Sequence, residues 1–294
     1  MSVLGLLFAF ANAFLESLMD VARKRSGEEF NKWTAAWGMR FFAALILVPF
    51  ALFIRPEGFP HDHWFWIATL GSVAINTVTS VLYMHAVQIA PLSLVLPIVT
   101  LSPVFMLVTS PLINHEMPSW LGVLGILLTT CGTYALNLHK TSEGVFAPIT
   151  SLWKEEGTRS MLIVAVLWGV SAPLDKLAIK HADPYWYTAV SHSILAIVLF
   201  PFMLRFGQTK LAMSQRGLKY LVPIGLLSAA SSLCQFMAFS MILVPYAVGI
   251  KRTSVLWGVL FGKLVFKEDK IRARLVAALL MVAGTVVILI SAMK

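Results

Sequence analysis

Lys251 and Arg252 stand side by side in an apolar run, Gly249-Ile250-Lys251-Arg252-Thr253-Ser254. A Lys point charge next to an Arg fork suits a phosphate or a carboxylate, so the pair is a candidate anion site. A charge in such surroundings needs a reason, because placing one at the centre of a membrane span costs at least about 2.5–3.5 kcal/mol on insertion scales. The alternative to a ligand is an ion pair with Glu16, Asp20 or Asp175, the acids that also lie in apolar runs. On a continuous helix neighbouring residues diverge by about 100°. Lys251 would then share a face with Ser254, Gly258 and Gly262, and Arg252 would face Val255, Leu256 and Val259.

A second group follows helical spacing. Asn12, Glu16, Asp20 and Lys24 recur every four residues and so share one helix face. Glu16 is the deepest acid of this face; it is a candidate to carry a coupling proton, or else pairs with Arg40 or Lys251. Asp175 and Lys176 diverge, so each must find a partner elsewhere. Asn76, Thr79, Ser80 and Tyr83 form one polar stripe, and Ser228, Ser231, Ser232 and Gln235 another. Small hydroxyls glue helices together as readily as they line a cavity. The larger groups of Asn76, Tyr83, His192 and Gln235 are the candidates to orient a solute.

These residues must be held by membrane helices. Of 294 residues 58% are hydrophobic and 13% charged, with a mean hydropathy of +0.80; soluble domains carry about 25% charged residues. Cys131 and Cys234 sit in apolar runs and are expected to be buried thiols. No Walker, zinc-ligand or nucleophile-elbow motif is present. A hydrocarbon core of roughly 30 Å needs about 20 apolar helical residues. That criterion places ten spans near 3–21, 35–54, 64–87, 91–113, 119–138, 160–179, 184–204, 219–242, 246–266 and 275–291. Pro91, Pro97, Pro103 and Pro111 all fall in the fourth, where each removes a hydrogen bond and bends the helix. Fifteen Lys and Arg residues collect on the connections 22–33, 139–159, 205–219 and 267–274, whereas Arg55, Lys180 and Lys294 are on the opposite side. The net charge of +9 thus reads as cytoplasmic loops rather than as a nucleic-acid surface. By the positive-inside rule both termini lie on the non-cytoplasmic side of the plasma or inner membrane.

The two halves repeat. Ala90-Pro91 matches Val244-Pro245, Glu116 matches Glu268, Gly132-Thr133 matches Gly284-Thr285 and Asp20 matches Asp175, at offsets of 152–155. Units of five spans must enter the membrane in opposite senses, which is how many secondary transporters are built. Pro91 to Glu116 followed by Trp120-Leu121-Gly122, and Pro245 to Glu268 with Gly284-Thr285, resemble the EamA-type members of the drug/metabolite transporter superfamily. Arg40 resembles a basic residue common early in their second span. Well-known ten-span members keep both termini in the cytoplasm; the charge pattern here predicts the reverse. The resemblance implies an all-α membrane protein of ten transmembrane helices in two inverted five-helix repeats, 1–140 and 158–294, joined by a linker at 141–157. It further implies a carrier of a small-molecule substrate that works by alternating access, with no cofactor. In the sugar-phosphate translocators of plastids, distant members of the superfamily, a Lys-Arg pair in the equivalent helix clamps phosphate. The expected cargo is therefore a small organic anion, with an amino acid or other exported metabolite as the alternative. A different class, an intramembrane enzyme on lipid-linked substrates, would draw on His61, Asp62 and His63 beside Glu57. A non-transporting scaffold is the third class, in which Lys251 serves stability alone.

Overall fold

The computed structural model describes residues 2–27, 29–90, 92–138, 146–151, 154–254, 256–257 and 272–293, and among them every regular element is helical. The order is α1 (Val3–Gly27), α2 (Lys32–Ile54), α3 (His63–Ile89), α4 (Leu92–Val99), α5 (Ser102–Asn114), α6 (Trp120–Leu138) and α7 (Ala147–Ser151). The second half runs α8 (Glu156–Lys180), α9 (Pro184–Phe206), α10 (Thr209–Ala212), α11 (Gln215–Met241), α12 (Val244–Lys251) and α13 (Arg272–Met293). Among the described residues six helices are long and apolar enough to cross a membrane, and shorter apolar stretches occupy Val3–Met19 and Trp120–Ala135.

Local chemistry sets the ends. Asn31 accepts from the Thr34 amide at 3.0 Å, and Asp62 accepts from the Trp64 amide at 2.8 Å. Asp183 accepts from the amides of Tyr185 (2.7 Å) and Trp186 (2.9 Å), with Pro184 opening the helix. Such caps satisfy amides that have no partner within the helix. Helix α5 stops at His115, whose φ of 56° is left-handed.

Two expected spans are interrupted among the described residues. The run 91–113 divides into α4 and α5 around Thr100-Leu101. Pro103 has no N–H to offer the Val99 carbonyl four residues earlier, so the ladder fails at that point. In the run 246–266, α12 ends at Lys251, and Arg252-Thr253 form a turn. The facial alignment through Ser254 presumed an unbroken helix, and the turn interrupts it; Gly258, Gly262 and Lys263, like Pro91 and Glu268, lie outside the described residues.

Long helices pack in pairs that join the two halves: α1 along α11, α3 along α8, α2 along α9 and α6 along α13. The last pair is close because it is lined by glycine. A methyl group on Gly284 would stand 2.6 Å from the Thr129 amide nitrogen and 2.7 Å from the Gly125 carbonyl, so only glycine permits this approach. Cys131 is exposed on α6 and Cys234 is half-buried, contrary to the expectation of two buried thiols; an apolar run marks a lipid-facing surface as readily as a protein core.

One end of the bundle is tied by polar contacts between halves. Glu116, on the α5–α6 connection, takes Lys176 Nζ at 2.8 Å and Lys180 Nζ at 3.2 Å. Lys176 also donates to the Ile242 carbonyl at 2.7 Å, and Lys180 to that of Asn114 at 3.2 Å. Tyr246 hydroxyl receives the Ser119 amide at 3.1 Å and meets Ser291 at 2.8 Å. Nearby, Asp62 meets His181 Nδ1 at 2.7 Å. The Trp64 amide and His181 hold the Asp62 carboxyl below the usual carboxylate range. Its stabilising contribution therefore persists above that range and is lost only as pH falls through the lowered value.

The Lys176–Glu116 contact is nearly dry, with side chains 6% and 14% exposed. Breaking a buried pair from one side strands the other charge. Glu116→Gln is expected to cost about 3 kcal/mol of stability, and Lys176→Met less, because Glu116 keeps Lys180. Thermal unfolding of the two variants in detergent measures the difference.

Candidate functional site

The charged residues of the apolar runs converge between the halves in three linked groups. The first joins α1, α11 and α12. Lys251 Nζ donates to Gln235 Oε1 at 2.7 Å and lies 3.4 Å from Glu16 Oε2. Asn12 Nδ2 reaches the same Gln235 oxygen at 3.2 Å, and the Ser231 hydroxyl bonds Asn12 Oδ1 and Glu16 Oε2, each at 3.2 Å. Four-residue spacing along α1 places Asn12 above Glu16, and the same spacing along α11 places Ser231 above Gln235.

The second group joins α3, α8 and α9. Asp175 is buried, and both the Ser72 hydroxyl and the Tyr187 hydroxyl (2.5 Å) donate to its Oδ1. Asn76 Nδ2 donates to Ser171 Oγ at 2.8 Å and to the Ser72 carbonyl at 2.9 Å. Lys176, next to Asp175 in the chain, faces away toward Glu116.

The third group links these two. Arg40 Nη1 lies 3.1 Å from His192 Nε2, and Ser232 Oγ lies 3.2 Å from the same nitrogen. His192 Nδ1 is 3.0 Å from the Thr188 carbonyl. A carbonyl only accepts and a guanidinium only donates, so these neighbours require the imidazole proton on Nδ1 and the lone pair on Nε2.

Arg252 is spent differently from Lys251. Its Nη2 donates to Ser102 Oγ at 2.6 Å and stands 3.5 Å from the Val99 carbonyl. This is the carbonyl that Pro103 leaves without a helical donor. The guanidinium thus closes the negative end of α4 and steadies the start of α5. Its Nε has no hydrogen-bond partner among the described residues. Tyr83 stacks on Trp168 at 5.9 Å between ring centroids, and the Trp168 indole donates to Thr79 Oγ1 at 3.1 Å.

Of the residues singled out from sequence, Lys251, Gln235 and Glu16 come together, Asn76 meets Asp175 through Ser72, and Arg40 meets His192. Tyr83 and Arg252 are engaged by Trp168 and by the α4–α5 break. The Asp20 side chain lies outside the described part of α1. Sequence reasoning missed Ser72, which extends the Asn76 stripe by one turn and so carried a legible signal. It also missed Tyr187 and Trp168, which carried none, being aromatic residues in apolar runs. The enzyme candidates are otherwise employed: Asp62 caps α3 and pairs with His181, and His61 stands against Phe59. Among the described residues no three His, Cys, Asp or Glu side chains gather as a metal site would require.

The model of the EamA-like transporter family matches residues 3–138 and again 157–290. The chain belongs to this family. It is a multi-pass membrane protein, and the family is one of transporters of small solutes within the drug/metabolite transporter superfamily. One solved structure, a protein known by crystallography, shares the fold with a TM-score of 0.79 over 99% of this chain and 98% of its own at 15% identity. No curated protein sequence matches significantly.

In this EamA-like chain both contacts of Arg252 come from one nitrogen, Nη2, so what lysine lacks is the reach and fixed plane of the guanidinium rather than a second nitrogen. Arg252→Lys is expected to lose about 1.5 kcal/mol of stability, the lower range for a hydrogen bond to a charged group. Ser102→Ala should add little in that background, and a double-mutant cycle by thermal unfolding reads the coupling.

Proposed function

We propose that this chain is a secondary active transporter that moves a small organic anion, carboxylated or phosphorylated, across the cell membrane by alternating access. The observation that carries the proposal is Lys251. Its ammonium stands at the end of a broken helix deep between the halves, bonded at 2.7 Å to a neutral amide and only loosely opposed by Glu16. The side chain keeps 29% of its surface exposed, so a donor remains for a ligand. Arg252, one residue on, adds positive charge beside the start of α5, where the helix dipole also favours an anion. Asn76, Gln235, His192 and Tyr83 stand on the surrounding helices to orient the rest of the solute.

Ten spans in two inverted halves, 1–140 and 158–294 around a linker at 141–157, give this site its setting. Support comes from the packing. If α1 corresponds to α8 and α3 to α11, as two matches of one family model to 3–138 and 157–290 suggest, the pair α1–α11 maps onto the pair α8–α3. Both pairs exist. The breaks at Thr100-Leu101 and Arg252-Thr253 stand 152 residues apart, the offset of the sequence repeat. Broken helices meeting at the repeat interface are where many secondary transporters bind their solute. The basic connections at 22–33, 139–159, 205–219 and 267–274 support an orientation with that side in the cytoplasm and both termini outside. The chain carries no recognisable nucleotide-binding motif, and a solute gradient or a counter-solute would drive it.

A thermal-shift screen of the full chain in detergent tests the proposal, with phosphate esters, carboxylates, amino acids and organic cations as the panel. An anion at about 100 times its dissociation constant should stabilise the protein by roughly 2.7 kcal/mol. It should do so in the wild type and not in Lys251→Ala. Equal stabilisation of Lys251→Ala, or a response to organic cations alone, would remove Lys251 from the site.

A further inference from the structure

Two of the ion pairs described above differ in ways that bear on their use. Lys176 and Glu116 meet at 2.8 Å with side chains 6% and 14% exposed. Charge-assisted contacts of this kind run at about 2.7–2.9 Å, so this pair is closed and dry. Lys251 and Glu16 stand at 3.4 Å with side chains 29% and 16% exposed. The direct partner of Lys251 is the Gln235 amide oxygen at 2.7 Å. Glu16 is steadied independently, through the Ser231 hydroxyl at 3.2 Å on the same Oε2 that faces Lys251. A carboxylate oxygen is thus held at the edge of the ammonium's reach without occupying its shortest bond.

We propose that the Glu16 carboxylate is a resident stand-in for the substrate's anionic group: it balances Lys251 while the carrier is empty, and an entering carboxylate or phosphate displaces it. The inference rests on the anion-carrier reading and adds the regulation of that site. Its physical basis is the cost of a lone buried charge. An empty carrier must pass between its conformations without stranding Lys251, and a loosely placed carboxylate meets that need. A tight pair like Lys176–Glu116 would meet it too, but would exclude the substrate. When an anion binds, Glu16 retains the Ser231 hydroxyl, so its displacement does not leave it bare. Competition of this kind has a definite sign. Removing the Glu16 charge should tighten anion binding, whereas removing a residue that itself holds the substrate should weaken it.

Isothermal titration of the full chain in detergent with glycerol 3-phosphate, acetate and glycine separates these outcomes. The wild type is compared with Glu16→Gln, Lys251→Ala and the double variant. Competition predicts that Glu16→Gln binds glycerol 3-phosphate or acetate on the order of tenfold more tightly, a change of about 1.4 kcal/mol. It also predicts that this gain vanishes in the Lys251→Ala background, because the two groups act through one another. Glu16→Ala serves as the second variant if Glu16→Gln is not monodisperse, with the same expected sign. Anion binding that is unchanged or weaker in Glu16→Gln would overturn the competition while leaving the anion carrier standing. Glycine binding that is lost in Glu16→Gln would overturn it as well, making Glu16 a ligand for the ammonium of a zwitterion. If neither anion binds the wild type or Glu16→Gln, the anion reading itself fails and the competition falls with it.

Discussion

Within a bilayer there is no water to receive a polar group that the protein leaves unmet, so every charge and every interrupted backbone bond has to be answered from inside the chain. The α4–α5 break displays this constraint at its simplest. Pro103 lacks the N–H that would hold the Val99 carbonyl, and the ladder opens. A guanidinium from the other half of the chain, Arg252, then reaches Val99 and Ser102. Arg252 is the C-cap residue at which α12 ends, one after Lys251. Two interruptions that would each be costly alone become a joint between the halves, while Lys251, the neighbouring residue, points toward α1 and α11.

The rest of the polar interior follows the same rule with different partners. Asp175 accepts from hydroxyls, Arg40 meets an imidazole lone pair, and Glu16 lies near an ammonium that a neutral amide already holds. The Lys251–Glu16 contact at 3.4 Å is longer than the 2.8 Å contact between Glu116 and Lys176 at the tied end of the bundle. Strong, dry pairing thus fastens an end, and a looser pair holds Lys251. This distribution suits a protein whose centre must exchange its contacts with a solute. A tight buried pair resists such exchange, because separating it exposes both charges to an apolar medium.

Glycine makes the complementary contribution. Where α6 and α13 meet, Gly125 and Gly284 let two backbones approach closely, and packing rather than polarity holds that pair. The pairs carrying Glu16, Asp175 and Gln235 add hydrogen bonds between side chains to such approaches, as at Gly5 against Met241 and Gly157 against Ala86.

Much of this was legible in the chain itself. Apolar runs of span length and basic residues confined to alternate connections mark a membrane protein, because the cost of burying charge permits no other distribution. The recurrence of Pro, Gly and acidic landmarks marks two related halves, and four-residue spacing put Asn12 with Glu16 and Ser231 with Gln235 on single faces. Pro103 announced a break, although an unbroken fourth span was drawn through it; the end of α12 at Lys251 had no such signal. What the sequence could not decide was partnership. Helical period says which residues share a face and says nothing of which helix that face will meet. Glu16, Asp20 and Asp175 were equal candidates for Lys251, yet Glu16 came to lie near it, while Asp175 turned to Ser72 and Tyr187. Only the packing of α1 on α11 and of α3 on α8 made that choice, because the energy of a charge pair depends on distance in space, and helices remote in sequence become near only once the bundle has formed.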